Sequence, residues 1–166
     1  MRYWIGGALA IVLALVQAAS VEQFKILGIA PNLMLVMLVA WLVVRGLEDV
    51  LPMLFVAGLT LGLVGSQTPG LVLLALLPIA GFGVLRELHV VHSDLVLVLV
   101  LVAASTVAYE LVLLASVVVS GGTLDVVPAF SHAIVPAALV NMALAVPVFA
   151  VMRLARPADS RRRLAY

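Results

Sequence analysis

The chain has 166 residues, of which 66% are hydrophobic and only 10% are charged, and its formal net charge is +1. Soluble domains carry about 25% charged residues, so this composition excludes an ordinary water-soluble domain, which could not bury so much apolar surface. The chain has no cysteine, which excludes disulfides, cysteine-ligated clusters and thiol catalysis.

Six apolar segments are long enough to cross a bilayer, which needs roughly 20 residues per helix. In chain order they are Trp4–Val21, Gly28–Val44, Val50–Gly65, Leu71–Leu85, Leu95–Val119 and Phe130–Met152. The five connections between them are short, so consecutive helices must be antiparallel neighbours. Unbroken apolar runs of this length are not barrel strands, which alternate in polarity over about ten residues. The sequence therefore predicts an all-α membrane protein with a six-helix transmembrane domain over residues 1–152 and a tail over residues 153–166.

The basic residues lie at alternate boundaries of these segments. Lys25 stands at one of the other boundaries, and the remaining eight are Arg2, Arg45, Arg86, Arg153, Arg156, Arg161, Arg162 and Arg163. Because Lys and Arg accumulate in cytoplasmic loops, the pattern predicts that both termini are cytoplasmic. The arginine-rich tail suits contact with anionic lipids, or alternatively with a cytoplasmic protein. It does not require a nucleic-acid partner.

The first segment has a second interpretation. Arg2, an apolar stretch and then Gln17, Ala18, Ala19 and Ser20 also resemble a secretory signal peptide. Cleavage would leave five spans. The long apolar run and the even number of spans favour a retained helix.

Glu110 is the most costly residue to place in a bilayer, since it lies inside the fifth segment and no Lys or Arg lies inside any span. It is either a polar contact that fixes helices together or a proton or ligand site. Asn141 in the sixth segment is predicted at the same depth and therefore as its hydrogen-bond partner, joined by Tyr109. Such bonds in bilayers average about 0.6 kcal/mol, so the pair would specify packing more than stabilise it.

The third segment contains Gly58 and Gly62, which form a GxxxG motif that lets another helix approach closely. That helix belongs either to the same bundle or to a partner protein. His89 and His92 have a spacing that could suit a metal, but they fall in a loop and are predicted to be solvated. No phosphate-binding loop, HExxH motif, nucleophile elbow or dinucleotide fingerprint occurs. The sequence thus predicts no enzyme activity, no cofactor and no metal.

Four motifs, in this order and spacing, resemble the MreD family, the small multispan proteins of the bacterial rod-shape machinery. They are Pro31-Asn32-Leu33 followed by an apolar run and Arg45-Gly46, Gly58-Leu59-Thr60-Leu61-Gly62-Leu63 with Ser66 and Pro69-Gly70, Tyr109-Glu110-Leu111, and Pro136-Ala137-Ala138-Leu139-Val140-Asn141. The resemblance covers about residues 31–152. It adds Pro31, Asn32 and Pro136 to Gly58 and Gly62 as residues for helix packing or partner contact. Family members often carry Asp where this chain has Gly62, so no role of that carboxylate carries over.

The resemblance implies a non-enzymatic scaffold of the bacterial inner membrane that binds MreC. Through MreC it would help regulate RodA and its penicillin-binding transpeptidase, indirectly coupled to MreB, in lateral peptidoglycan synthesis and rod shape. The family is also similar in fold to the substrate-binding subunits of energy-coupling-factor transporters. The alternative function is therefore that of a small-solute, vitamin-type binding subunit, which would need an outward polar pocket.

Overall fold

The computed structural model describes residues 2–20, 29–87, 93–123 and 126–154, and within them every regular element is a helix. The helices are α1 (Arg2–Ser20), α2 (Leu33–Arg45), α3 (Leu47–Val64), α4 (Pro69–Glu87), α5 (Asp94–Val119), α6 (Val126–Ala129), a π-helical turn (Phe130–Ile134) and α7 (Val135–Leu154). The last three run on without a break, so the described chain forms six helical segments. The predicted all-helical class is confirmed.

The short helix α2 is the centre of the bundle. It contacts α1, α3, α4, α5 and α7, and ten of its thirteen residues are buried. A helix that other helices surround is expected to be apolar on every face, and Leu33–Val44 contains no charged residue. The core of the protein is therefore built around α2, with the longer helices forming a wall.

The predicted start of the second segment, Gly28, is wrong. The helix begins five residues later, at Leu33. Pro31 disfavours helical geometry in the residue before it, and Asn32 caps the helix by accepting a hydrogen bond from the Leu35 N–H at 3.0 Å. At about 1.5 Å per residue, α2 is about 20 Å long and shorter than the roughly 30 Å hydrocarbon layer of a bilayer.

The sixth segment also begins elsewhere than predicted. Its helix starts at Val126, four residues before Phe130, and contains the π-helical turn just ahead of Pro136. A proline inside a helix lacks the N–H donor and its ring clashes with the carbonyl four residues earlier. That carbonyl belongs to His132, which lies within the π-helical turn. The wider turn is where the helix accommodates Pro136.

The GxxxG motif of α3 packs inside the bundle. A Cβ atom on Gly62 would meet the backbone of Pro69 at the start of α4, 2.6 Å from its nitrogen, and a Cβ on Gly58 would lie 2.8 Å from Cγ of Leu73. Both glycines are buried. Of the two interpretations of this motif, the structure shows the internal one: α4 occupies the face that Gly58 and Gly62 open.

The helix ends sort into two sets. Gly6 of α1 faces Trp41 and Met53, and Gly83 of α4 faces Leu42 and Leu47. The beginnings of α1 and α3 thus lie beside the ends of α2 and α4, and the groove described below joins the start of α5 to the end of α7. We call this the basic end, because Arg45 and Arg153 stand on it, and the other the polar end.

Apolar side chains dominate the outer wall. Exposed examples on α3, α4, α5 and α7 are Phe55, Leu63, Leu74, Leu77, Val100, Leu111, Leu139 and Val151. Three helical stretches are long and apolar enough to cross a membrane, namely Leu47–Val64, Asp94–Val119 and Phe130–Leu154. The other apolar stretches of the described chain are shorter: Gly6–Gln17, Leu33–Arg45 and Pro69–Val84. Large exposed apolar surfaces mark contact with lipid or protein.

We predict that Gly62→Ala destabilises the bundle by about 1–3 kcal/mol, since the added methyl group would collide with the backbone of Pro69 and force α3 and α4 apart. The matched control is Gly81→Ala in the interior of α4, where nothing lies within 4 Å of the added Cβ. That change should be neutral or stabilise by up to about 1 kcal/mol. Thermal unfolding in detergent measures both, and equal melting temperatures would contradict the internal packing of the motif.

Candidate functional site

The start of α2 carries a cluster of polar side chains drawn from four parts of the chain. The first N–H groups of a helix have no partner within the helix and need acceptors from elsewhere. Asn32 supplies its own side-chain oxygen to Leu35. Gln17 of α1 accepts from the Met34 N–H through Oε1 at 2.9 Å. The start of α2 is thus satisfied by its own capping residue and by one other helix, α1.

Asn141 connects the same point to α7 and α5. Its Oδ1 accepts from the Asn32 N–H at 2.8 Å, and its Nδ2 donates to Oγ1 of Thr106 at 3.1 Å. Thr106 in turn donates to the Val102 carbonyl at 2.8 Å. Asn141 is only 2% exposed, so both ends of its amide are used in a place that water does not reach.

Tyr109 completes the arrangement through a hydrogen bond to the Asn32 side chain. Nε2 of Gln17 also donates to Oδ1 of Asn32, at a longer 3.4 Å. We refer to Gln17, Asn32, Thr106, Tyr109 and Asn141 together as the capping cluster. It ties α1, α5 and α7 to the first turn of α2 and lies toward the polar end of the bundle.

Of the predicted trio, the structure brings Tyr109 and Asn141 to the same residue, Asn32, but Asn141 bonds to Asn32 and Thr106 rather than to Glu110. The depths of the two residues differ because the last helical segment begins at Val126, ahead of its predicted start at Phe130. Asn141 lies fifteen positions after Val126, whereas Glu110 lies nine positions before Val119. Glu110 is therefore about one helical turn farther out than Thr106.

Glu110 itself is half-buried on α5. Within the described residues it forms no hydrogen bond or ion pair. The interpretation of Glu110 as a polar contact within the bundle thus finds no partner in the part of the chain that the structure describes. The cluster that fixes the helices uses uncharged amide and hydroxyl groups instead.

A small cavity lies beside the capping cluster. It has a volume of about 150 Å³ and is lined by Gln17, Leu61, Gly65, Ser66, Gln67, Val72 and Tyr109. Pockets for small-molecule ligands usually enclose about 300–1,000 Å³. Two of its polar side chains, Gln17 and Tyr109, already have hydrogen-bond partners in the bundle. This limits what the cavity could offer to a solute.

The basic surface is described in part. Arg45 lies over the ring of Trp41, with 5.3 Å between its guanidinium carbon and the ring centroid, a cation–π arrangement. Arg153 is exposed near the end of α7, and Arg86 belongs to α4. Arg156, Arg161, Arg162 and Arg163 lie outside the described residues, as do His89 and His92. Among the described side chains, no three His, Cys, Asp or Glu residues converge as a metal site would require.

Sequence reasoning missed Gln17 and Thr106. Gln17 is the one amide in the apolar run of α1, and its position near the end of that run was interpreted as part of a cleavage signal. Thr106 stands among small residues on α5 and offers no distinctive spacing. A search for polar side chains able to reach the residues after Pro31 would have pointed to both, because a proline-delayed helix start leaves N–H groups in need of acceptors.

No protein-family model, no curated protein and no solved structure matches the chain.

We predict that Asn141→Leu destabilises the bundle by about 1–3 kcal/mol, because it leaves the partly buried Asn32 N–H without an acceptor. Thr106→Val removes the other bond of Asn141 and the bond of Thr106 to the Val102 carbonyl of its own helix, and it should cost less because the Asn32 N–H keeps its acceptor. The control is Thr60→Val, whose hydroxyl bonds only to the Val56 carbonyl of its own helix. Titration with a denaturing detergent measures all three. If Asn141→Leu proves no worse than Thr60→Val, the cluster does not hold the bundle.

Proposed function

We propose that the chain is a non-enzymatic, multi-pass scaffold of the bacterial inner membrane that binds MreC. Through MreC it helps regulate RodA and its penicillin-binding transpeptidase during cell elongation, with MreB as an indirect partner. The resemblance of the four sequence motifs to the MreD family supports the choice of partner. One structural observation favours a scaffold over a solute-binding subunit: the polar side chains of the capping cluster bond to the backbone and side chains of the bundle itself.

The membrane arrangement belongs to the same proposal. The six helical segments cross the membrane together, with the basic end and both termini in the cytoplasm and residues 153–166 as a basic tail. Three of the segments have the length and apolarity of a span by themselves. The three shorter ones pack against them, and α1 supplies Gln17 to the cluster. That contact supports an α1 retained as part of the bundle.

The transporter-subunit alternative needs an outward pocket with several free polar groups. The cavity of about 150 Å³ at the polar end is the candidate for it. A vitamin-sized solute requires more volume, and the side chains of Gln17 and Tyr109 would have to leave their present partners to bind it. We therefore favour the scaffold.

We assign Glu110 to the contact with MreC. Ionisable residues inside membranes usually pair with another polar group, and within the described residues Glu110 has no hydrogen-bonding partner. A membrane helix of MreC that offers a donor at this depth would supply one. The proposal therefore places the partner helix on the outer face of α5, next to the exposed Leu111.

The test is co-purification of the tagged full chain with MreC from native membranes, followed by identification of the associated proteins. We expect MreC to be recovered. Recovery of a transporter ATPase pair in place of MreC would overturn the scaffold proposal and favour the alternative.

The same experiment tests Glu110. Glu110→Leu should lower the recovery of MreC about three- to twentyfold, the range expected for one lost hydrogen bond within a bilayer, and it should leave the melting temperature unchanged. Glu48→Leu is the control, since it removes an exposed carboxylate at the basic end of α3. Equal recovery with both variants would remove Glu110 from the interface without affecting the evidence for MreC binding.

A further inference from the structure

An apolar groove runs between the start of α5 and the end of α7. It has a volume of about 410 Å³ and is lined by Leu95, Val146, Phe149, Ala150, Arg153 and Leu154. Phe149 is buried and forms its floor, while Val146 and Leu154 are exposed on its sides. The volume falls in the range of ligand-binding pockets. Every lining residue except Arg153 is apolar, so the groove suits a hydrocarbon.

Arg153 is the one charged residue of the groove and stands at the basic end. It is exposed, and among the described residues it forms no ion pair, either with Asp94 at the start of α5 or with any other carboxylate. A guanidinium binds phosphate strongly because its N–H groups match two phosphate oxygens. The groove thus joins an apolar trough to a guanidinium that no described carboxylate pairs with.

The size of the groove and the charge of Arg153 distinguish between three candidate occupants: a partner helix, a second copy of the chain and a lipid. A partner helix is about 10 Å across with its side chains and about 30 Å long in a bilayer, which is much larger than the groove. A second copy of the chain would bring Arg153 close to other arginines of the same basic end. A single acyl chain is much narrower than a helix, and Arg153 in the lining would face the phosphate of its lipid.

We propose that the groove binds one anionic phospholipid from the cytoplasmic leaflet, with an acyl chain along Phe149 and Ala150 and the phosphate on Arg153. Basic pockets between membrane helices on the cytoplasmic side hold such headgroups in general. The inference rests on the membrane orientation proposed above and is independent of MreC.

The experiment uses the full chain, purified in detergent and stripped of lipid. It is titrated with phosphatidylglycerol or with phosphatidylcholine of the same acyl chains, and bound lipid is counted by native mass spectrometry. The unmodified chain should retain one phosphatidylglycerol in preference to phosphatidylcholine. Arg153→Gln should weaken phosphatidylglycerol binding about fivefold, the effect of one basic residue at a membrane surface, and leave phosphatidylcholine binding unchanged.

A second variant tests the trough. Ala150→Trp fills the groove and should weaken the binding of both lipids. Its control is Ala8→Trp, an equal enlargement at an exposed position of α1 near the same end. The melting temperatures of the two variants show whether both are folded. Lipid binding that Ala150→Trp and Ala8→Trp affect equally would overturn the assignment of the groove.

Arg161→Gln distinguishes a specific lipid site at Arg153 from general attraction between arginines and anionic lipid. It removes the same charge as Arg153→Gln, but from the tail. We expect it to leave phosphatidylglycerol binding within error of the unmodified chain. A loss equal to that of Arg153→Gln would mean that the lipid is held by surface charge alone.

A dimer that Ala150→Trp dissociates would show that a second copy fills the groove. Tighter lipid binding after removal of residues 157–166 would show that the tail does. Each of these three results would overturn the proposal.

Discussion

The backbone N–H groups at the start of α2 are the constraint on which the bundle depends. A helix of thirteen residues is too short to bring both of its ends to the surfaces of a bilayer, so its first turn opens inside the protein, where an unsatisfied donor is costly. Gln17, Asn32 and Asn141 provide the acceptors. Because they come from α1, from the residue before α2 and from α7, satisfying one helix end fixes the relative positions of three segments. Thr106 and Tyr109 then add α5.

The two ends of the bundle differ in the polar groups that they carry. Toward the polar end, the amide and hydroxyl groups of the capping cluster bond to each other and to the backbone, beside a cavity of about 150 Å³. At the basic end, the apolar groove and the exposed Arg153 remain available. The outer wall presents apolar side chains throughout. That the polar groups of the capping cluster hold the bundle's own helices is an argument for the proposed scaffold over a solute-binding subunit.

Much of the fold could be predicted from the sequence, and the site only in part. Apolar runs of 15–25 residues predict helices, and basic residues at alternate boundaries predict which helix ends lie on the same side of the bundle. The boundaries near Pro31 and Pro136 were misplaced, because a proline delays or widens a helix by an amount that depends on its neighbours. That error shifted Asn141 relative to Glu110 and paired the wrong residues. Hydrogen bonds between polar side chains of different helices carry no spacing signal, so Asn32 and Asn141 were identified as important but not as partners, and Gln17 and Thr106 were missed. The sequence could not show which helix packs against Gly58 and Gly62, because that depends on how the helices are arranged; in the structure it is α4.

Hydrogen exchange at the start of α2 tests the central claim most directly. The amides of Asn32, Met34 and Leu35 would be followed by nuclear magnetic resonance in lipid nanodiscs. If the capping cluster holds them, they exchange as slowly as amides in the middle of α2, since opening them requires separating α1 and α7 from the bundle. Exchange as fast as at an exposed helix start would contradict the claim, and would mean that the first turn of α2 opens without disturbing its neighbours.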